Sequence, residues 1–224
     1  MTPMPPWLIP VLLISFFVLI VALAIVGAIV RRKKILAELS QLGFAVVLKP
    51  TPAEKFEAFS EVVTPPHWKV ADAGVQWVAR GTVNGVPVLL FEHQYSTGSG
   101  KSRQTHYHTL AAITNMKGLP SLLVRERTLG DKLASLFGKH SIPLGDEVFD
   151  KKFRVESPDH DSAANFLVPS LREWLLAQPG HDYSIITGPT SLAVYIPKML
   201  APKDIAALMH KPGEVLGALA AANR

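Results

Sequence analysis

The chain has 224 residues, enough for a membrane segment plus one domain of about 170 to 190 residues with a sizeable core. It has no cysteine, which excludes disulfides, thiolate metal sites and cysteine nucleophiles. The formal charge of +5 is concentrated: residues 1–30 carry no charged side chain, and Arg31, Arg32, Lys33 and Lys34 supply four of the positive charges, leaving +1 for residues 35–224. Phosphate binding needs a broad basic face, so a nucleic-acid partner is excluded.

Trp7 to Val30 reads WLIPVLLISFFVLIVALAIVGAIV, about 36 Å of helix at about 1.5 Å per residue and without a charge. This predicts a transmembrane anchor within residues 1–30, behind a short N-terminal tail. Ala22-Leu23-Ala24 resembles a signal-peptide cleavage site, but no basic region precedes the apolar run and the positive charges follow it, which favours a retained anchor. The positive-inside rule then puts the N-terminus outside and the domain in the cytoplasm, on the inner (plasma) membrane. Pro10 falls in the first turns, where a helix tolerates it, and Trp7 fits the outer interface. The RRKK cluster reads as a stop-transfer signal, and also as a membrane-surface contact worth about 1 kcal/mol per basic residue on anionic lipid. Ile35, Leu36, Leu39 and Leu42 recur at helical spacing before Gly43, predicting a basic juxtamembrane helix over 31–43 whose apolar stripe packs on the domain.

The domain, residues 44–224, is expected to be α+β: antiparallel β-hairpins packed with helices. Phe44–Leu48 predicts a strand, and Thr51, Pro52 and Glu54 form a capping box that opens a helix presenting Phe56, Phe59, Val62 and Val63. TPPHW, residues 64–68, reads as a loop. VQWVARGTV and VPVLLFEHQY flank Asn84-Gly85, the signature of a type I′ hairpin, with Pro87 at an edge or bulge. Strands are further expected over 105–115 and 121–127, then a helix from Thr128 to about Gly138. A strand at 153–156 leads into a helix opening at Ser157-Pro158-Asp159 and running to about Ala177. Its buried stripe is Leu167, Leu171, Trp174 and Leu175. A hairpin, YSIIT-GPTS-LAVYIP, and a helix from about Pro202, interrupted at Pro212-Gly213, complete the chain. Both halves read as strand, helix, hairpin, which predicts two such units in an α+β domain.

The stretch YSTGSGKSRQTHYHT, residues 95–109, ends a phosphate-loop pattern at Gly100-Lys101-Ser102. The pattern demands glycine at position 95, where this chain has Tyr95, and a helix after the serine, where RQTHYHTLAAI reads as a strand. Nucleotide hydrolysis is therefore not the reading; a hairpin loop over 96–103, with Lys101 and Arg103 facing water, is. A glycine-rich loop with two basic residues remains a weak anion or ligand site. Centring the turn between Ser99 and Gly100 sets His93 opposite His106, with His108 further along that face. Three converging imidazoles there would suit Zn²⁺ or a similar ion. The competing reading is a solvated polar strand face, because a one-residue slip turns His93 to the other side. No cofactor is implied.

Other candidates are weaker. Asp159-His160-Asp161 reads as helix capping, Asp146, Glu147 and Asp150 as an exposed acidic cluster, and His67-Trp68 as packing; no G-x-S-x-G elbow is present. Together with the N-terminal pattern, Thr97–Lys101 followed by His106, and FRVESPDHDSAANFLVPSLREWL, the chain resembles a family of bacterial single-pass membrane proteins with a TGSGK-type hairpin loop. Their C-terminal domain has no assigned activity, so the resemblance implies no catalytic residues. The expected function is a membrane-tethered, non-catalytic module that binds a protein, such as another membrane or envelope protein, or a small ligand. The rival is a metal- or anion-dependent enzyme built on His93, His106 and Lys101.

Overall fold

The computed structural model describes residues 8–62, 74–128, 141–178 and 183–222. The elements in chain order are α1 (Leu8–Gln41), β1 (Ala45–Val47), α2 (Pro52–Ser60), β2 (Gly74–Val83), β3 (Val86–Thr97), β4 (Gln104–Thr114), β5 (Leu122–Glu126), α3 (Glu147–Lys152), β6 (Phe153–Glu156), α4 (His160–Phe166), α5 (Pro169–Leu176), β7 (Ser184–Gly188), β8 (Ser191–Ile196) and α6 (Pro202–Ala221). Residues 129–138 of the helix expected from Thr128, Val63, the 64–68 loop and Trp7 lie outside the described residues.

The strands form one eight-stranded sheet in the order β1-β2-β3-β4-β8-β7-β5-β6, with every neighbouring pair antiparallel. The domain is thus α+β. Asn84 and Gly85, at φ 52° and 79°, form the left-handed corner that joins β2 to β3. Pro87 pairs with Thr82 of β2, but the β3–β4 ladder begins only at Val88–Ile113. The missing amide proton of Pro87 therefore costs no ladder bond to β4. The second strand–helix–hairpin unit does not repeat the pairing of the first: β1 pairs directly with β2, whereas β5 separates β6 from the β7–β8 hairpin.

Alternation along the strands divides the core into two faces. Leu90, Ala111, Val124, Val155 and Val194 share one face with residues of α1, α3, α4, α5 and α6; Leu89, Phe91, Leu110 and Ala193 share the other with Ala58 and Phe59 of α2. Ile35 and Leu39 of the juxtamembrane stripe are buried in the first cluster, while Leu36 and Leu42 are exposed. Phe44 then lies on Gly81, where an added Cβ would come within 2.6 Å of the ring. Thr51 caps α2 as a capping box; Phe59 and Val62 are buried, but Phe56 is 63% exposed, one turn away from the buried side.

Three local expectations are corrected. The helix expected from 157 to 177 is two helices, α4 and α5. Pro169 has no amide proton to continue the first, and Val168 before it is extended at ψ 157°. By contrast, α6 runs unbroken through Pro212, because Ile205, Leu208, Met209, Pro212 and Val215 are all buried along it, and this burial outweighs the lost hydrogen bond. In the acidic cluster at 146–150, Glu147 is exposed as expected and pairs with Lys151, but Asp146 and Asp150 are structural. Asp146 caps α3, accepting from the Phe149 N–H, and the Asp150 carboxylate accepts from the Leu144 and Gly145 N–H groups, each at 3.1 Å.

Candidate functional site

The β3–β4 ladder pairs His93 with His108 and Tyr95 with His106, not His93 with His106. The ladder extends to Thr97–Gln104, and the turn beyond it is centred one residue later than expected, which moves every partner by two. Gly98 and Gly100 adopt φ 77° and 55°, and a 3₁₀ turn over Gly100–Ser102 closes with the Ser102 N–H donating to the Ser99 carbonyl at 3.1 Å. Gly98 is required twice over: its backbone is left-handed, and a Cβ there would sit 2.5 Å from the Ser102 carbonyl oxygen. A slip of two residues preserves the faces, so His93, His106 and His108 do share one side of the sheet.

They share it as a stack of rings. Tyr95 lies parallel to three imidazoles, with centroids 5.4 Å from His93, 4.9 Å from His106 and 5.3 Å from His108. Phe59 closes on the His93 ring edge-on at 4.9 Å, and Tyr195 on His108 at 5.5 Å. His93 and His108 are buried, so the face is not solvated; His106 is half-buried, with Nε2 2.7 Å from Thr97 Oγ1. Rings stacked around a phenol do not aim their nitrogens at one point. Among the described residues no group of three or more His, Asp or Glu side chains is placed to hold a metal ion. Lys101 stands on the exposed turn, separated from His93 by the paired segment Gln94–Thr97, so the three residues of the enzymatic alternative do not meet.

The outer end of this ladder borders a cleft of about 720 Å³ at the ends of β4, β5, β7 and β8, where Tyr95, His106, His108 and Tyr195 meet Arg125 and Lys198. Burial raises the Tyr95 phenol above its ordinary value, and burial pushes Tyr195 up to about 12 against the opposing hydrogen bond from Ser184. Both phenols are therefore neutral near pH 7. Arg125 is held 3.4 Å from Glu156, which also accepts from Arg154 Nε at 2.8 Å. Lys198 lies on the exposed turn after β8.

The RRKK tetrapeptide divides in two. The Arg31 guanidinium forms a bidentate pair with Glu92, whose side chain is 2% exposed, and donates to the Leu200 carbonyl from Nε at 3.2 Å and Nη2 at 2.7 Å. Arg32 donates to Gln76 Oε1 at 3.1 Å, and Gln76 in turn donates to Gln94. Lys33 and Lys34 alone are exposed. Arg31 and Arg32, expected at the membrane surface, are engaged by the sheet, Arg31 by the buried Glu92 carboxylate, which needs a charged partner, and Arg32 by the neutral Gln76 amide. The signal for this was present: Glu92 is the sole acidic residue between Asp72 and Glu126, and it lies in a strand whose other neighbours are apolar or neutral.

This pairing also sets the direction of the anchor. Arg31 meets Glu92, whereas Phe44 meets Gly81, the register partner of Val88. So α1 runs back along β3 against the strand, and its apolar part leaves the domain on the side of the β3–β4 turn. That part is fully exposed within Pro10–Val30, and by length and composition it can cross a membrane.

No family model and no curated protein matches the chain. Among solved structures, the crystal structure of the mycobacterial trehalose monomycolate transport factor A, TtfA, matches with a TM-score of 0.52 at 12% identity, over 84% of this chain and 95% of that one. At that identity the likeness is one of fold. The chain has the α+β fold of TtfA, with an apolar N-terminal helix ahead of it.

Proposed function

We propose that this protein is a membrane-tethered, non-catalytic binding module, with its N-terminus outside, its domain in the cytoplasm, and the cleft beside the His–Tyr ladder as its binding site. The observation that carries it is the placement of that cleft. It lies at the end of the sheet from which α1 departs, and it is lined by flat aromatic and imidazole rings with Arg125 and Lys198 at its margin. Such a surface suits a planar or ring-bearing ligand, or a partner's aromatic anchor, with an anionic group nearby. Stacked rings support binding better than chemistry, since catalysis needs a base aimed at a nucleophile or ligands aimed at a metal. TtfA is a trehalose monomycolate transport factor, which agrees with a binding role for this fold. Lys101 and Arg103 are proposed as anion contacts near the site.

The test is photocrosslinking in membranes from a probe replacing His106. A discrete adduct, with a protein or a small ligand, is expected. The reading fails if no adduct forms and screens for ligand-induced thermal stabilisation are also empty. A C-terminal reporter active only outside the cytoplasm would overturn the orientation.

A further inference from the structure

Two segments at the end of the sheet nearest the anchor carry positive charge without an acidic neighbour in the chain. The chain has no acidic residue from His93 to Arg125 and none from Tyr183 to Lys203. These segments supply part of that end, the β3–β4 tip with exposed Lys101 and Arg103 and the turn after β8 with exposed Pro197, Lys198 and Met199; the end of β5 adds Glu126 and Arg127. Lys33 and Lys34 are exposed on α1 just inside Val30. At the opposite end, the Asn84–Gly85 turn has no charged residue from Gly81 to Phe91, and Lys117 between β4 and β5 is exposed.

Geometry brings the basic end to the bilayer. Thr97 lies five residues past Glu92, about 17 Å at roughly 3.3 to 3.4 Å per residue, in the direction in which α1 leaves. Glu92 itself is level with Arg31, the boundary between the charged and apolar parts of the helix. The tip therefore passes the level of Val30 on the side of the domain from which the apolar helix departs. We propose that the β3–β4 tip, together with the Pro197–Met199 turn, forms a second membrane contact that docks on anionic headgroups beside the chain's own anchor. The proposal rests on α1 being that anchor. Lys101, Arg103 and Lys198 meet the phosphates, exposed Met199 enters the interface, and the glycines at 98 and 100 let the backbone turn flat against the surface. The recognised chemistry is the phosphate of an anionic lipid rather than one lipid species, and the cleft opens beside the surface so formed.

The lack of cysteine permits a direct test with the full chain. Single variants Ser99→Cys and Asn84→Cys are spin-labelled and placed in nanodiscs of phosphatidylcholine, with or without phosphatidylglycerol. A trace of nickel-chelating lipid reports proximity to the headgroups. Strong relaxation is expected at position 99 in anionic discs, weaker relaxation at 99 in neutral discs, and little at 84 in either. Adding Lys101→Ser and Arg103→Ser to the Ser99→Cys chain should lower the contacting fraction relative to the free one by about fivefold per charge removed. Equal relaxation at 99 and 84 in anionic discs, no response to the two serine substitutions, or protection that needs an added protein would overturn the proposal. Release by millimolar inorganic phosphate at constant ionic strength would also overturn it, in favour of a free-anion site. Loss of co-elution with the discs would strike the anchor itself, and both readings would fall together.

Discussion

Glu92 and His93 are consecutive, both buried, and on opposite faces of β3, yet the two faces solve the burial of polar atoms differently. On one side a full charge is neutralised by a single partner from outside the sheet, Arg31, within a layer packed by five helices. On the other, rings cover rings, with α2 above Phe91 and His93 and a cleft at the outer end. The first arrangement admits one geometry, since an ion pair removed from water tolerates little displacement. The second tolerates sliding and exchange of faces, because stacking has a broad optimum. Position is fixed by the helix-covered face, and the ring-covered face is where we propose that recognition takes place.

The contrast predicts unequal costs of mutation. Glu92→Ala, which strands the Arg31 guanidinium, should lower stability by about 3 to 5 kcal/mol in denaturant unfolding. The paired change Glu92→Leu with Arg31→Met should recover most of that loss; a double variant as unstable as the single one would remove the ion pair as the cause. Gly81→Ala, also on the helix-covered face, pushes a methyl group into the Phe44 ring and should cost about 1 to 3 kcal/mol. On the ring-covered face, Tyr95→Leu keeps apolar area but loses the stack, and a cost of about 1 kcal/mol is expected. A cost equal to that of Glu92→Ala would erase the distinction between the faces.

The smallest effect is visible only in alkali. The folded pKa of Tyr195 is about 12, above the ordinary phenol value of 10.0. Between these values the unfolded chain releases the proton and the folded chain keeps it, so the contribution of Tyr195 is intact below pH 10 and declines as pH rises towards 12. Tyr195→Phe should remove that part of the alkaline decline, while an ultraviolet titration of the wild type should find one phenol ionising last.

The contrast between the faces also marks what local sequence reveals. Asn84-Gly85, the Thr51 capping box and the strand at Phe153–Glu156 were all legible, because each is decided by neighbours in the chain. So were the α+β class and the rejection of a phosphate loop, since β4 follows Ser102 directly. Pairing between strands was not, because a turn centred one residue later moves the partner of His93 from His106 to His108. The same alternation of polar and apolar residues accommodates both registers. The continuity of α6 through Pro212 and the capture of Arg31 by Glu92 depend on partners distant in sequence, which periodicity does not register.

A long apolar helix ahead of a domain is usually pictured as a leash on which the domain tumbles. Here α1 is one uninterrupted helix from Leu8 to Gln41, without glycine or proline from Ala28 onward, and its last turns are built into the domain's core. Anchor and domain then turn as one body, like a key and its shaft. An extra residue inserted between Val30 and Arg31 would swing the domain by about 100° around the membrane normal without altering a single contact inside it. Twisting of the anchor by a neighbouring membrane helix would be felt directly at β3.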